Sequence, residues 1–188
     1  MAGPLSDRER WDRRYAEGSH TGEAEPDWFD ALGDLLPRGG SALDVASGAG
    51  RVACGLARRG LDVLAVDVSP VGLDLARERA ERAGLRIETR VLDLAAEPLP
   101  AGPWELISCF AYLQRELFPA LCRALAPRGV LVCEIPTVRN LERHARPGRR
   151  FLLDEGELLR LIDPLEVCWQ QEGWVGDRAL ARVVARRV

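Results

Sequence analysis

The sequence predicts a single doubly wound α/β domain: a mostly parallel seven-stranded sheet with helices on both faces and an antiparallel hairpin at its C-terminal end. Three observations carry this. Short apolar runs alternate with helical patterns from residue 41 to about 165, an order that needs crossover connections and a covered parallel sheet. Two glycines, Gly48 and Gly50, follow the first apolar run, where such a sheet passes from strand to helix. The last runs, in LEVCWQQEGWVGDRALARVVARRV, are separated by VGDR with no helix between them, so the two strands must be antiparallel.

Each element has its own signal. DRERWDRRYAEG predicts a short helix opened by Ser6 or Asp7. EPDWFDALGDLLPRGG predicts a second helix, with Trp28, Leu32 and Leu35 at helical spacing and Pro37, Gly39 and Gly40 as its stop. SALDVA is an apolar strand, GRVACGLARRG a helix ending at Gly60, and LDVLAVDV a second apolar strand. SPVGLDLARERAERAG has Ser69 as N-cap, Pro70 at the first helical position and Gly84 past the end. LRIETRVLDL reads as a strand, and WELISCFAYL as a strand running into a loop. QRELFPALCRALAPRG is a helix that starts near Pro119, GVLVCEIP a strand and DEGELLRLID a helix. Between these last two lies the long polar interruption TVRNLERHARPGRR.

Composition narrows the function classes. The 188 residues, 47% of them hydrophobic, suffice for one packed core. The net charge of -3 argues against a general nucleic-acid binder, although all 26 basic residues are Arg. No stretch has the length and apolarity of a membrane span, and MAGPLSDRER lacks the apolar middle of a signal peptide. Cys54, Cys109, Cys122, Cys133 and Cys168 form no CxxC pair, which suits buried thiols in a reducing cytoplasm. No Cys, His and acid cluster has metal-ligand spacing, so no metal is expected.

The stretch ALDVASGAGR is where a doubly wound sheet binds a cofactor, beyond the carboxyl end of its first strand. Gly48 and Gly50 let a ligand lie against bare backbone. Asp67, ending the second strand, suits the two ribose hydroxyls of an adenosine, and Ser69 as the helix cap leaves it available. Asp93, at the end of the third strand, falls beside the same crevice near the adenine position, its alternative being a turn residue. GAGRVA also matches the dinucleotide pattern G-x-G-x-x-A, so a nicotinamide cofactor is an alternative. Asp44 opposes it, because a carboxylate ahead of the glycines repels a pyrophosphate and welcomes an ammonium group. The terminal hairpin opposes it too. S-adenosylmethionine is such a cationic, phosphate-free ligand.

LDVASGAGR, LAVDVSP, VLDL, WELISCFAYL, LAPRGVLVCEIP and the terminal hairpin together resemble the ordered motifs of class I S-adenosylmethionine-dependent methyltransferases, whose fold is Rossmann-like. Ala46 stands where the usual pattern has Gly, as in the tellurite-resistance-related branch with its D-V-A-x-G-x-G-R; WDRRYAEG and RPGRRFLLDEGELLRL resemble that branch as well. The resemblance implies a cofactor site of Asp44, Ala46, Gly48 and Gly50 at the loop, Asp67 on the ribose, and Val68, Asp93 and Leu94 at the adenine. It further implies a Cys109 carbonyl at the methionine amino group, and Trp11, Arg14 and Tyr15 in a lid, with Arg14 at the methionine carboxylate. The chain then divides into a helical lid over 1–38, a cofactor-binding half over 41–135 and an acceptor-side loop, helix and hairpin over 136–188.

Methyl transfer from a sulfonium needs mainly a positioned acceptor and excluded water. A thiolate or chalcogen oxyanion needs little base assistance, whereas a hydroxyl or amine needs a base. Of the two histidines, His20 and His144, the second follows the fifth strand and is the better candidate. The catalytic residue is not fixed by the sequence; His144, Arg139, Arg143 and Arg146 are the candidates, the arginines as recognition groups for an anionic acceptor with Pro147-Gly148 as a hinge. The expected function is cytoplasmic methylation of a small molecule. A nicotinamide-dependent reductase, a methyltransferase for protein or nucleic acid, and a non-catalytic S-adenosylmethionine-binding module are the alternatives.

Overall fold

A computed structural model describes residues 6–19, 21–22 and 28–188. The chain forms two compact units, one up to Pro98 and one from Leu99 to Val188.

The first unit opens with α1 (Asp7–Ala16), where Ser6 and Glu9 form a capping box. Strand β1 (Ser41–Val45) leads through the glycine turn to α2 (Arg51–Arg58). Then come β2 (Asp62–Asp67), α3 (Pro70–Arg82) and β3 (Glu88–Val91). The strands run parallel in the order β3-β2-β1, with Asp44 beside Ala65 and Asp67 beside Val91. Ala42, Leu43, Val45, Ala65 and Val66 are buried, so these short runs have no solvent face, as expected of parallel strands covered by helices. Val52, Ala53, Leu56, Leu73, Ala76 and Ala80 supply the helical side of the core.

The second unit contains β4 (Trp104–Phe110), α4 (Phe118–Ala124), β5 (Leu125–Pro136), α5 (Glu157–Leu161), β6 (Glu166–Val175) and β7 (Arg178–Arg186). Its order is β4-β5-β7-β6, parallel between β4 and β5 and antiparallel at both contacts of β7. Glu134 and Arg182, register partners on β5 and β7, form a buried ion pair at 2.8 Å. Arg115 grips Glu157 with Nε and a terminal nitrogen, and also donates to the Leu152 and Arg150 carbonyls. That hydrogen-bonded guanidinium holds the Glu157 carboxyl below its ordinary range.

Several boundaries differ from the sequence reading. In place of a second helix there is a 3-10 segment, Asp30–Leu35, broken at Gly33 (φ 51°, ψ -118°). The third strand is Glu88–Val91, so Asp93 lies past its end. The fourth main helix starts at Phe118, as Pro119 implied, but β5 begins at Leu125, earlier than Gly129. Arg128 (φ 65°) allows this early start by absorbing the irregularity within the strand. Cys168 is half-buried on β6, unlike the other four cysteines, which are buried.

Candidate active site

The glycine turn is built by backbone bonds. Ser47 N–H donates to the Val66 carbonyl and Gly50 N–H to the Ser47 carbonyl, both at 3.0 Å. Ala46, Gly48 and Gly50 have φ of 54°, 53° and 75°. Ala46 accepts the left-handed conformation despite its Cβ, at a cost of roughly 1–2 kcal/mol. Gly50 is required twice over, since a Cβ there would stand 2.6 Å from the Ala76 Cβ of α3. Asp44 is buried immediately ahead of this turn.

Asp67 closes the other side. One carboxylate oxygen accepts the Gly48 N–H at 2.8 Å and the other accepts the Ser69 N–H at 2.9 Å. The Ser69 hydroxyl caps α3 by accepting the Gly72 N–H at 3.0 Å, as the sequence implied. Ser69 does not leave Asp67 free of structural work, however, because its backbone N–H takes an Asp67 oxygen. A carboxylate has about four acceptor sites, so Asp67 retains capacity for a ligand hydroxyl. Burial raises the Asp67 pKa, the Ser69, Gly48 and Val68 N–H groups oppose that, and the Asp12 charge adds to the rise.

Tyr15 stands over the turn. A methyl placed on Gly48 would collide with its hydroxyl, and one on Gly72 would lie 2.8 Å from its ring. The ring stacks on Trp11 with centroids 5.7 Å apart, and the Arg14 guanidinium lies 4.9 Å from the Trp11 centroid. Burial, followed by the Asp67 charge, pushes the Tyr15 pKa up. The structure thus gathers Tyr15, Gly48, Gly50 and Asp67, and adds two residues missing from the sequence reading. Asp12 accepts the Ser69 hydroxyl, and Arg79 donates to the Ala49, Thr21 and Gly22 carbonyls. Asp12 was legible as the residue three before Tyr15 on one helix face; nothing in the sequence marked Arg79.

Asp93 organises a turn: its carboxylate accepts the Ala95 N–H, and its carbonyl accepts from Ala96 and Glu97. Val68 is half-buried and Leu94 buried. In the second unit, Cys109 sits buried near the end of β4, with its thiol 3.4 Å from the Tyr112 carbonyl.

The arginine segment after β5 is pinned along its length. Asn140 is buried, donating to the Thr137 and Ala179 carbonyls and accepting the Ala179 N–H. Arg143 stacks on Trp174 at 3.7 Å and Arg139 lies 5.8 Å from the same ring. Arg149 pairs with Asp154, and His144 Nε2 lies 2.7 Å from the Asp177 carbonyl. Arg146 is exposed. His20 lies outside the described residues. Among the described residues no group of three His, Cys, Asp or Glu side chains is placed to hold a metal, and no helix is long and apolar enough to cross a membrane.

Residues 42–129, from β1 into the start of β5, match the family described as a methyltransferase domain. The chain is 35% identical over 96 residues to the ubiquinone biosynthesis O-methyltransferase of Xanthomonas axonopodis pv. citri, covering 49% of this chain and 39% of that protein. Residues 42–129 are thus similar to a methyltransferase domain, and this relative is itself a methyltransferase. Another relative, the release factor glutamine methyltransferase of Koribacter versatilis, is 30% identical over 179 residues, 85% of this chain and 63% of its own length. The chain therefore spans less than two thirds of both relatives. TehB from Haemophilus influenzae shares the fold, with a TM-score of 0.73 over 95% of this chain and 67% of that one at 19% identity. The seven-stranded, mostly parallel Rossmann-like architecture expected from the sequence is thus the architecture found.

Proposed function

We propose that the chain is an enzyme that transfers the methyl group of S-adenosylmethionine to a small-molecule acceptor, a thiol or a chalcogen oxyanion. The observation that carries this reading is Asp67, buried at the end of β2 and bonded to the Gly48 N–H, so that carboxylate and bare backbone form one cradle. That donor set fits the cofactor: acidic groups at both ends suit ribose hydroxyls and an ammonium, and Asp44 suits no pyrophosphate. When bound, S-adenosylmethionine supplies an activated methyl on a sulfonium.

The chain's own residues then bind and orient. Asp67 accepts from the ribose hydroxyls while its backbone donors hold it rigid. Asp44 attracts the amino group. Asp93, Val68 and Leu94 meet the adenine. Exclusion of water and alignment of the acceptor do most of the catalytic work, so no general base is required for a soft acceptor. The relatives named above modify an oxygen and a glutamine, so their names leave the acceptor open. The tellurite-resistance-related branch, supported by the fold shared with TehB, favours a soft one. We further propose a cytoplasmic protein that binds neither nucleic acid nor membrane, in keeping with its free cysteines and net charge.

A second reading, a non-catalytic binding module, keeps the same cradle without turnover. Transfer of a labelled methyl group to a panel of thiols, selenite, tellurite and phenols separates the two. Turnover of a thiol or chalcogen acceptor is expected; retained cofactor binding without turnover of any acceptor favours the module.

A further inference from the structure

The cradle just described has a cover in Tyr15. Tyr15 fills the side of Gly48 on which a Cβ would stand, and its ring fills the corresponding side of Gly72. No heavy atom fits between that backbone and the ring. The residue is buried although it belongs to the chain's first described helix, so its ring is packed against the unit rather than extended into solvent. Packing of this kind has to be held. Two polar ties do so, one on each side of Tyr15.

On one side, Asp12 accepts the Ser69 hydroxyl, which itself accepts the Gly72 N–H. The latch therefore runs through the cap of α3, one residue beyond the Val68 that follows Asp67. On the other side, Arg79 of α3 bonds the Thr21 and Gly22 carbonyls at 2.9 and 2.8 Å and the Ala49 carbonyl of the glycine turn at 2.6 Å. One guanidinium thus clips the chain leaving α1 onto the turn itself. Next to Gly48, the Ser47 hydroxyl is buried with no partner among the described residues, so the covered arrangement leaves this polar group of the turn unsatisfied by them.

We propose that α1 is a gate on this cradle: Tyr15 is a wedge that the cofactor displaces, and Asp12 and Arg79 are the latch residues that set how often it opens. This rests on the cofactor reading above. It differs from a lid that merely adds contacts, because a wedge slows association whereas a contact residue only slows release. The ties are short-range and polar, and α1 carries four arginines (Arg8, Arg10, Arg13 and Arg14), so opening exposes little apolar surface beyond Trp11 and Tyr15. Trp11, stacked on Tyr15, reports the movement.

The test is stopped-flow Trp fluorescence of the full chain on mixing with S-adenosylhomocysteine. Tyr15→Ala should raise the association rate constant at least tenfold. Asp12→Asn, which weakens the latch but leaves Ser69 on Gly72, should raise it several-fold, and hydrogen exchange of the α1 amides should accelerate in the same variant without ligand. If the parent binds and Tyr15→Ala associates no faster while its dissociation quickens, Tyr15 is a wall of the site and the gate is wrong. If neither parent nor variant binds, the cofactor reading has failed and the gate falls with it. Binding by Tyr15→Ala alone supports both.

Discussion

The glycine turn of the first unit and the arginine segment of the second are both polar stretches that follow a strand, yet they are built in opposite ways. In the turn, backbone N–H groups and one carboxylate face each other: Asp67 takes the Gly48 and Ser69 N–H groups and still has lone pairs to offer. In the arginine segment most of the side chains are engaged by the protein itself. Arg139 and Arg143 lie against Trp174, Arg149 pairs with Asp154, His144 meets the Asp177 carbonyl, and Asn140 spends all three of its bonds on backbone. Charge density alone therefore does not identify a binding site. What distinguishes the turn is a buried acid with capacity left over.

The largest effect that tests this contrast is Asp67→Ala. Its loss removes the ribose acceptor and strands two backbone donors, so S-adenosylhomocysteine affinity should fall at least tenfold and stability by roughly 2 kcal/mol. Calorimetry and denaturant titration read the two losses separately; an unchanged affinity would place the ribose elsewhere. Asn140→Ala should also cost about 2 kcal/mol, for the same reason, while cofactor affinity stays within twofold. A large affinity loss there would mean that the arginine segment serves the cofactor. Among the arginines, Arg146→Ala should raise the acceptor KM about tenfold, a change of about 1.4 kcal/mol in transition-state stabilisation, whereas Arg139→Ala and Arg143→Ala should change it little, because their side chains are already engaged. Equal kinetics for all three would move the acceptor away from this segment.

The smallest effect is a pH dependence. Glu157 has its pKa lowered by the hydrogen-bonded Arg115. A depressed carboxyl contributes stability above its unfolded value, about 4.3, and loses it as pH falls through the folded value. Glu157→Gln should therefore cost roughly 0.5–1 kcal/mol at neutral pH for this partly exposed pair, with no difference from the parent in strong acid. A difference that persists in acid would trace the effect to packing.

The parallel core and its turn were legible in the sequence because they depend on local signals: apolar runs, Ser69 and Pro70 at the start of a helix, and glycines where the backbone turns left-handed. The helix expected near Trp28 failed at Gly33, whose φ of 51° interrupts a pattern that spacing alone could not separate from a helix. Asp67 was found from its place at a strand end, but its double role was not, since that depends on which backbone donors the turn brings to it. Asp12 and Arg79 were missed because their partners, Ser69, Ala49, Thr21 and Gly22, are 57, 30, 58 and 57 positions away. Arg139 and Arg143 were read as free recognition groups because no sequence signal announces Trp174 as their partner.

Calorimetric titration of the purified chain with S-adenosylhomocysteine, and in parallel with NAD and NADP, tests the central claim most directly. The cradle of Asp67, Gly48 and Asp44 should bind S-adenosylhomocysteine at one site per chain and give no heat with either dinucleotide. Saturable binding of NAD or NADP, with none of S-adenosylhomocysteine, would contradict it.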